Sequence, residues 1–218
     1  MDADFSIELG ADDPVLDFPW TDSSGNLAYF DLKRHPDLIA RVEEAEKFPE
    51  LAEFLRTVNS ARSLVESAKC DAWTTAELSA EEEVFDAPCK FASYVDLVLT
   101  DENRVLADEN RVTKSNRRLD FPAHENFAKR LIELLRRAPE MAASVEVCVR
   151  RCFFGQGEND GRENDERNSE PLAGFYFTLY VNGYGNDEAT ARKMWSIGLK
   201  LTENGIMQLS AKGPTFFG

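Results

Sequence analysis

Histidine is almost missing from this chain, with His35 and His124 the two in 218 residues. A zinc site built on several imidazoles is therefore excluded. Cysteine is sparse as well: Cys70, Cys89, Cys148 and Cys152. Cys148 and Cys152 fall in a stretch that reads as extended, where positions four apart sit about 13 Å from each other, too far to share one ion. The four read as buried structural thiols. An acyl-transfer site has no G-x-S-x-G elbow to build on, and a Cys70–His124 pair oriented by Asp71 is the nearest substitute. Glycine-rich phosphate loops are lacking too. No G-x-x-x-x-G-K-[ST] occurs, and Gly183-Tyr184-Gly185 lacks the third glycine of a dinucleotide turn. The Asp/Asn-rich stretch 158–166 fails the spacing of a calcium loop. No metal and no cofactor is predicted.

Long apolar runs are also absent; none approaches the ~20 residues that span a bilayer. The opening Met1-Asp2-Ala3-Asp4 is acidic where an export signal carries Lys or Arg. These features predict a cytoplasmic protein with reduced thiols. Positive charge is in deficit, 25 Lys and Arg against 40 Asp and Glu, for a net −15. A field of that sign repels phosphate backbones and anionic membrane surfaces, which argues against nucleic acid and membrane partners. It favours a basic protein or a cationic ligand, and it keeps the chain in solution.

What is present is apolar substance. The composition is 43% hydrophobic with 15 phenylalanines, more than a disordered chain carries. A chain of this mass removes roughly 70% of its surface from water on folding, enough for a core without staples.

Phe5 to Leu9 alternates as a half-buried strand does. Val15–Phe18 and Leu27–Leu32 flank the turn-forming 21–26, which predicts a hairpin. Pro36 and Pro49 open two helices, 37–46 and 50–58. Strands are predicted over 64–75, 91–100, 145–154 and 175–181, and helices over 124–137 and 187–203, the last capped by Asn186 after a turn at Gly183-Tyr184-Gly185 and weakening near Asn204-Gly205. A five-residue duplication, 101–105 and 108–112, lies in a polar stretch that reads as a mobile loop. The acidic 156–170 reads as partly disordered. The tail 214–218, with Phe216 and Phe217, reads as docked on its own domain or captured by a partner.

The strand and helix order predicts an α+β fold: an antiparallel sheet of two consecutive strand-strand-helix units, helices packed on one face, with an N-terminal hairpin and helices. Residues 1–218 read as one domain, with 1–60 a candidate N-terminal subdomain and 61–218 the main sheet and helices. Polarity inside the strands marks the candidate site. Val65, Ser67, Lys69, Asp71 and Trp73 are expected on one face of their strand, and Glu146 and Arg150 on one face of theirs. If those faces meet, Lys69, Asp71, Glu146 and Arg150 form an ion-pair network flanked by Trp73, Tyr176 and Tyr180. One reading is a ligand groove with aromatic walls; the other is an open face of cross-strand charge pairs. With no catalytic constellation, the sequence reads as a non-catalytic intracellular binding or assembly module with an acidic surface, partnered by another protein or a second copy. The alternative is a small-molecule-binding protein or enzyme with its site on the open sheet face.

Overall fold

The computed structural model describes residues 1–75, 84–100, 117–155 and 171–211. The duplication at 101–112, the acidic 156–170 and the aromatic tail lie outside the described residues. Six strands make one sheet: β1 (Asp2–Glu8), β2 (Val15–Phe18), β3 (Val65–Thr75), β4 (Cys89–Leu99), β5 (Ala143–Phe154) and β6 (Leu172–Gly185). The order is β1-β5-β6-β4-β3, with β2 also on β5. The helices are α1 (Glu43–Lys47), α2 (Pro49–Val58), α3 (Phe121–Leu135) and α4 (Glu188–Ala211). None of the described helices is long and apolar enough to cross a membrane.

The α+β class stands, but the sheet is mixed rather than antiparallel. β1 runs parallel to β5, Asp2 opposite Ser144 through Glu8 opposite Arg150, and β2 follows along the same edge, Val15 opposite Arg151 through Phe18 opposite Phe154. Alternation identifies a strand; it carries no record of the partner or its direction. For the same reason the N-terminal hairpin is corrected. Val15–Phe18 bonds β5, and the 21–26 turn closes on the single bridge Thr21–Ala28. Asp22 holds that turn through its own carboxylate, which accepts the Leu27 amide at 2.8 Å.

Val65, Val95, Leu97, Val145, Val147, Val149, Phe177, Leu179 and Val181 bury against residues of all four helices, so the period-two assignment of the helix-covered face is correct for β4, β5 and β6. Four local readings change. The helix expected over 37–46 divides at Val42 into a 3₁₀ segment, Pro36–Arg41, and α1. Gly183 and Gly185 lie inside β6, opposite Phe91 and Cys89, instead of turning the chain. A Cβ on Gly183 would stand 2.1 Å from the Trp195 amide nitrogen, so glycine lets α4 pack directly on the strand. Helix α4 also runs unbroken through Gly205, whose missing side chain admits Leu131 of α3, a Cβ there falling 2.7 Å from Leu131 Cδ1. Its cap is Asp187, whose Oδ1 accepts the Thr190 amide at 2.7 Å, one residue later than expected.

The opposite face carries a smaller core. Leu16, Phe18, Ala68, Val98, Cys152, Phe154 and Tyr176 cluster there, with Trp20, Tyr29 and Leu119 packed on them. Arg118 closes the cluster, its guanidinium over the Phe18 and Phe154 rings and paired with the buried Glu66. The rest of that face belongs to the candidate site.

Candidate functional site

A β-bulge decides what β3 contributes. The register slips between Ser67 and Lys69, so Ser67 lies opposite Leu97 while Lys69 lies opposite Asp96. Strict alternation would leave Lys69, Asp71 and Trp73 on the side of Val65 and Ser67. The extra residue instead moves them to the opposite face, where Glu66 already is, and turns Cys70 and Ala72 toward the helix side. This corrects the sequence reading of β3. The bulge brings Lys69, Asp71, Trp73, Glu146, Arg150, Tyr176 and Tyr180 onto one face. Cross-strand registers set Asp71 opposite Tyr94, Tyr94 opposite Tyr180, and Tyr180 opposite Glu146. The rings step across the sheet, Trp73 to Tyr94 at 6.4 Å and Tyr94 to Tyr180 at 6.3 Å between centroids. Trp73 is 38% exposed, whereas Tyr176 is buried in the smaller core.

The expected network of Lys69, Asp71, Glu146 and Arg150 does not form. Arg150 pairs with Glu8 of β1 at 2.6 Å and donates to Thr178 Oγ1 at 2.9 Å and to the Tyr180 hydroxyl at 3.3 Å. Thr178 in turn donates to Asp96 Oδ1 at 2.7 Å. The result is a polar line, Glu8–Arg150–Thr178–Asp96, crossing four strands and buried from Arg150 to Asp96. Asp71 turns to its own chain and accepts the Ala72 amide at 2.7 Å. Lys69 lies 5.3 Å over the Trp20 ring. Glu146 accepts from Ser6 Oγ at 3.3 Å and from the Cys148 thiol at 3.5 Å. Glu8, Thr178 and Asp96 are the residues that sequence reasoning missed. Asp96 had a signal, as the one acid inside the otherwise apolar run 95–99 of β4.

Burial raises the Asp96 carboxyl to about 6, despite the Thr178 bond and the attraction of Lys69 and Arg150. Burial likewise pushes the thiols of Cys70, Cys148 and Cys152 up to about 12. His124 is pulled down to about 4 by burial. Its Nδ1 lies 2.8 Å from the Asp120 carbonyl and its ring 4.9 Å from that of Phe177, on the helix side of β6. The Cys70–His124 pair with Asp71 is therefore not assembled; Cys70 belongs to β3, two strands away. Glu8, Glu146 and Cys148 bring ligand atoms within 4.8 Å of one another, the closest approach to a metal set among the described residues. Arg150 already neutralises Glu8 there.

Beside β3 lies a cleft of about 580 Å³. Its floor is the bulged stretch Ser67–Asp71 together with Tyr94. One wall is Trp20 and the turn residues Asn26, Leu27, Ala28 and Phe30; the other is Arg41–Glu44, where the 3₁₀ segment meets α1. Because Ser67 and Cys70 face the helices while Ala68, Lys69 and Asp71 face the other way, the cleft lies over the edge of the sheet rather than on either face. It takes in Lys69 and Asp71 of the predicted site and leaves Trp73, Glu146, Arg150, Tyr176 and Tyr180 outside. No family model, curated protein or solved structure matches this chain. The geometry alone thus carries the functional reading.

Proposed function

We propose that this chain is a non-catalytic binding module that receives a cationic partner in the cleft along β3. The observation that carries it is the cleft itself: about 580 Å³, within the volume range of ligand sites, with aromatic walls and the acids Glu43, Glu44 and Asp71 on its lining. Arg41 and Lys69 also line it, but each is stacked on a ring, Arg41 over Phe30 at 4.8 Å and Lys69 over Trp20 at 5.3 Å. The surrounding chain carries −15, which draws cations in and turns polyanions away. Burial holds the thiols of Cys70, Cys148 and Cys152 at about 12 and the His124 imidazole at about 4, so all four stand neutral near pH 7. Residues 1–218 are taken as one unit, since β1 and β2 complete the sheet.

The test is calorimetric titration of a short lysine-rich peptide and a glutamate-rich peptide of equal length. The lysine peptide binds, and a double reversal, Glu43→Lys with Glu44→Lys, weakens it by about tenfold, 1.4 kcal/mol. Equal heats from the two peptides refute the reading.

A small-molecule site on the sheet face is the second reading, favoured by one observation. Asp96 combines a carboxyl raised to about 6 with Lys69 opposite it in register, a combination common at functional sites. It predicts an activity or ligand affinity that titrates with Asp96 and vanishes in Asp96→Asn.

A further inference from the structure

The order of the sheet ends at β3, and the outer edge of that strand is treated in two different ways along its length. The first half is closed by side chains. Ser63 Oγ accepts the Val65 amide at 3.2 Å, and Lys33 donates to the Val65 carbonyl at 3.1 Å. Asn59 Oδ1 accepts the Ser67 amide at 2.9 Å, and the Trp20 indole donates to the Ala68 carbonyl at 2.6 Å. Such plugs keep a sheet edge from recruiting another strand. They stop at the bulge.

Beyond it, the direction of the backbone groups follows from β4. The Thr100 amide donates to the Leu64 carbonyl at 2.8 Å, so Thr100 and every second residue before it, Val98, Asp96, Tyr94 and Ala92, bond toward β3. Their partners Lys69, Asp71 and Trp73 therefore point inward, and Cys70, Ala72 and Thr74 present their N–H and C=O groups outward. Among the described residues, no backbone group pairs with these three on that side. The one engagement is internal, Asp71 Oδ1 on the Ala72 amide.

We infer that the outer edge of β3 from Cys70 to Thr74 accepts an extended, lysine- or arginine-rich peptide as a further strand. The inference rests on the cleft reading above and names its occupant. The cleft lies over Ser67–Asp71 and so meets this edge at Cys70 and Asp71, where the end of a strand seated on Cys70–Thr74 reaches it. Strand addition supplies affinity through main-chain bonds, and alternate side chains supply selectivity. Acids outnumber bases around those side chains: Glu43 and Glu44 on the cleft wall, Asp71 on the strand, and Glu188, whose carboxylate accepts the Thr74 hydroxyl at 3.4 Å, against Arg41 and Lys69 on the lining and Lys47, which pairs with Glu43 at 3.5 Å. The Cys70 thiol registers this field: after burial, Glu44, Asp71 and Asp96 are what raise it. A second copy of the chain would bring a further −15 against the same edge, which is why the occupant is a cationic peptide instead. A lysine reaching Asp71 also releases the Ala72 amide for the incoming strand.

The experiment uses the whole chain and a fluorescein-labelled octapeptide alternating lysine with threonine, read by anisotropy at low salt. Two N-methylated isomers accompany it, one methylated at every lysine and one at every threonine, because only one alternate set of amides faces β3. Methylation of one set weakens binding by at least about tenfold and of the other by less than about twofold, as expected for losing several hydrogen bonds on one side only. Equal effects of the two sets overturn strand addition while leaving the cleft reading intact. An octapeptide alternating glutamate with threonine that binds as well overturns the cationic reading with it, as does failure of every peptide to bind. A dimer in sedimentation that the peptide dissociates makes a second copy the natural occupant and overturns the assignment.

Discussion

Two buried titratable groups oppose each other across the same pH window, and separating them tests the account of the sheet interior. Asp96 titrates near 6 in the folded chain against an ordinary value of 3.8, because burial penalises its charge. Between those values the folded state holds the extra proton, so stability falls as pH rises, by about 3 kcal/mol in all, the loss being complete above about pH 6. His124 titrates near 4 against an ordinary 6.5. There the unfolded state holds the extra proton, so stability rises by about 3 kcal/mol between about pH 4 and about pH 6.5. In the native chain the two slopes nearly cancel. Asp96→Asn removes one of them while keeping an oxygen to accept from Thr178. Urea unfolding followed by far-ultraviolet circular dichroism, in native chain and variant at about pH 4.5 and about pH 7.5, isolates the Asp96 part as a double difference. The variant should gain about 2 kcal/mol relative to the native chain across that interval, the share of the total lying above pH 4.5. A double difference below about 0.5 kcal/mol means that Asp96 titrates as an ordinary aspartate, and the polar line Glu8–Arg150–Thr178–Asp96 is then wrongly drawn.

Further outcomes follow from the packing. Gly183→Ala forces a methyl onto the α4 backbone, where a Cβ has 2.1 Å to the Trp195 nitrogen. It should cost about 3 kcal/mol or more, read as a fall of about 6–12 °C in Tm. Gly198→Ala, with 3.3 Å to Val181 Cγ1, relaxes by a few tenths of an ångström against a helix-propensity gain of about 1 kcal/mol and should melt close to the native chain. Arg150→Met removes the charged donor to Glu8 and the donor to Thr178 and should cost about 2 kcal/mol. A double-mutant cycle with Glu8→Gln should recover about 1–2 kcal/mol of coupling in chemical denaturation. Cys148 and Cys152, raised to about 12, should alkylate at the rate of global opening, so iodoacetamide labelling that outruns unfolding contradicts their burial.

The sequence made the inside of the sheet legible and its connections illegible. Val145, Val147 and Val149 declare a buried side because the period of a strand is two, whatever lies next to it. Phe5–Leu9 declares a strand in the same way, yet the parallel seat of β1, Asp2–Glu8, beside Ser144–Arg150 involves residues about 140 positions apart and leaves no local mark. The candidate site suffered from both limits. Lys69, Asp71 and Trp73 do share a side with Glu146 and Arg150, but only because the extra residue at Ala68 shifts the phase, and a bulge inside an apolar–polar alternation looks like ordinary variation. Arg150 was visible as a charge inside a strand; Glu8, its counter-ion, was not visible as its partner. Gly183 and Gly185 carried the turn signal that glycine usually carries, and here the missing side chains serve the approach of α4 instead.

The parallel seat of β1 has a consequence for synthesis. Residues 2–8 leave the ribosome long before 144–150, and at roughly 5–20 residues per second the wait is on the order of ten seconds. Throughout it Phe5 and Ile7 stand in an unmatched strand, open to pairing with any neighbouring chain. Asp2, Asp4 and Glu8 place three negative charges within those seven residues, a spacing that guards such a segment against cross-β association until its template has been translated.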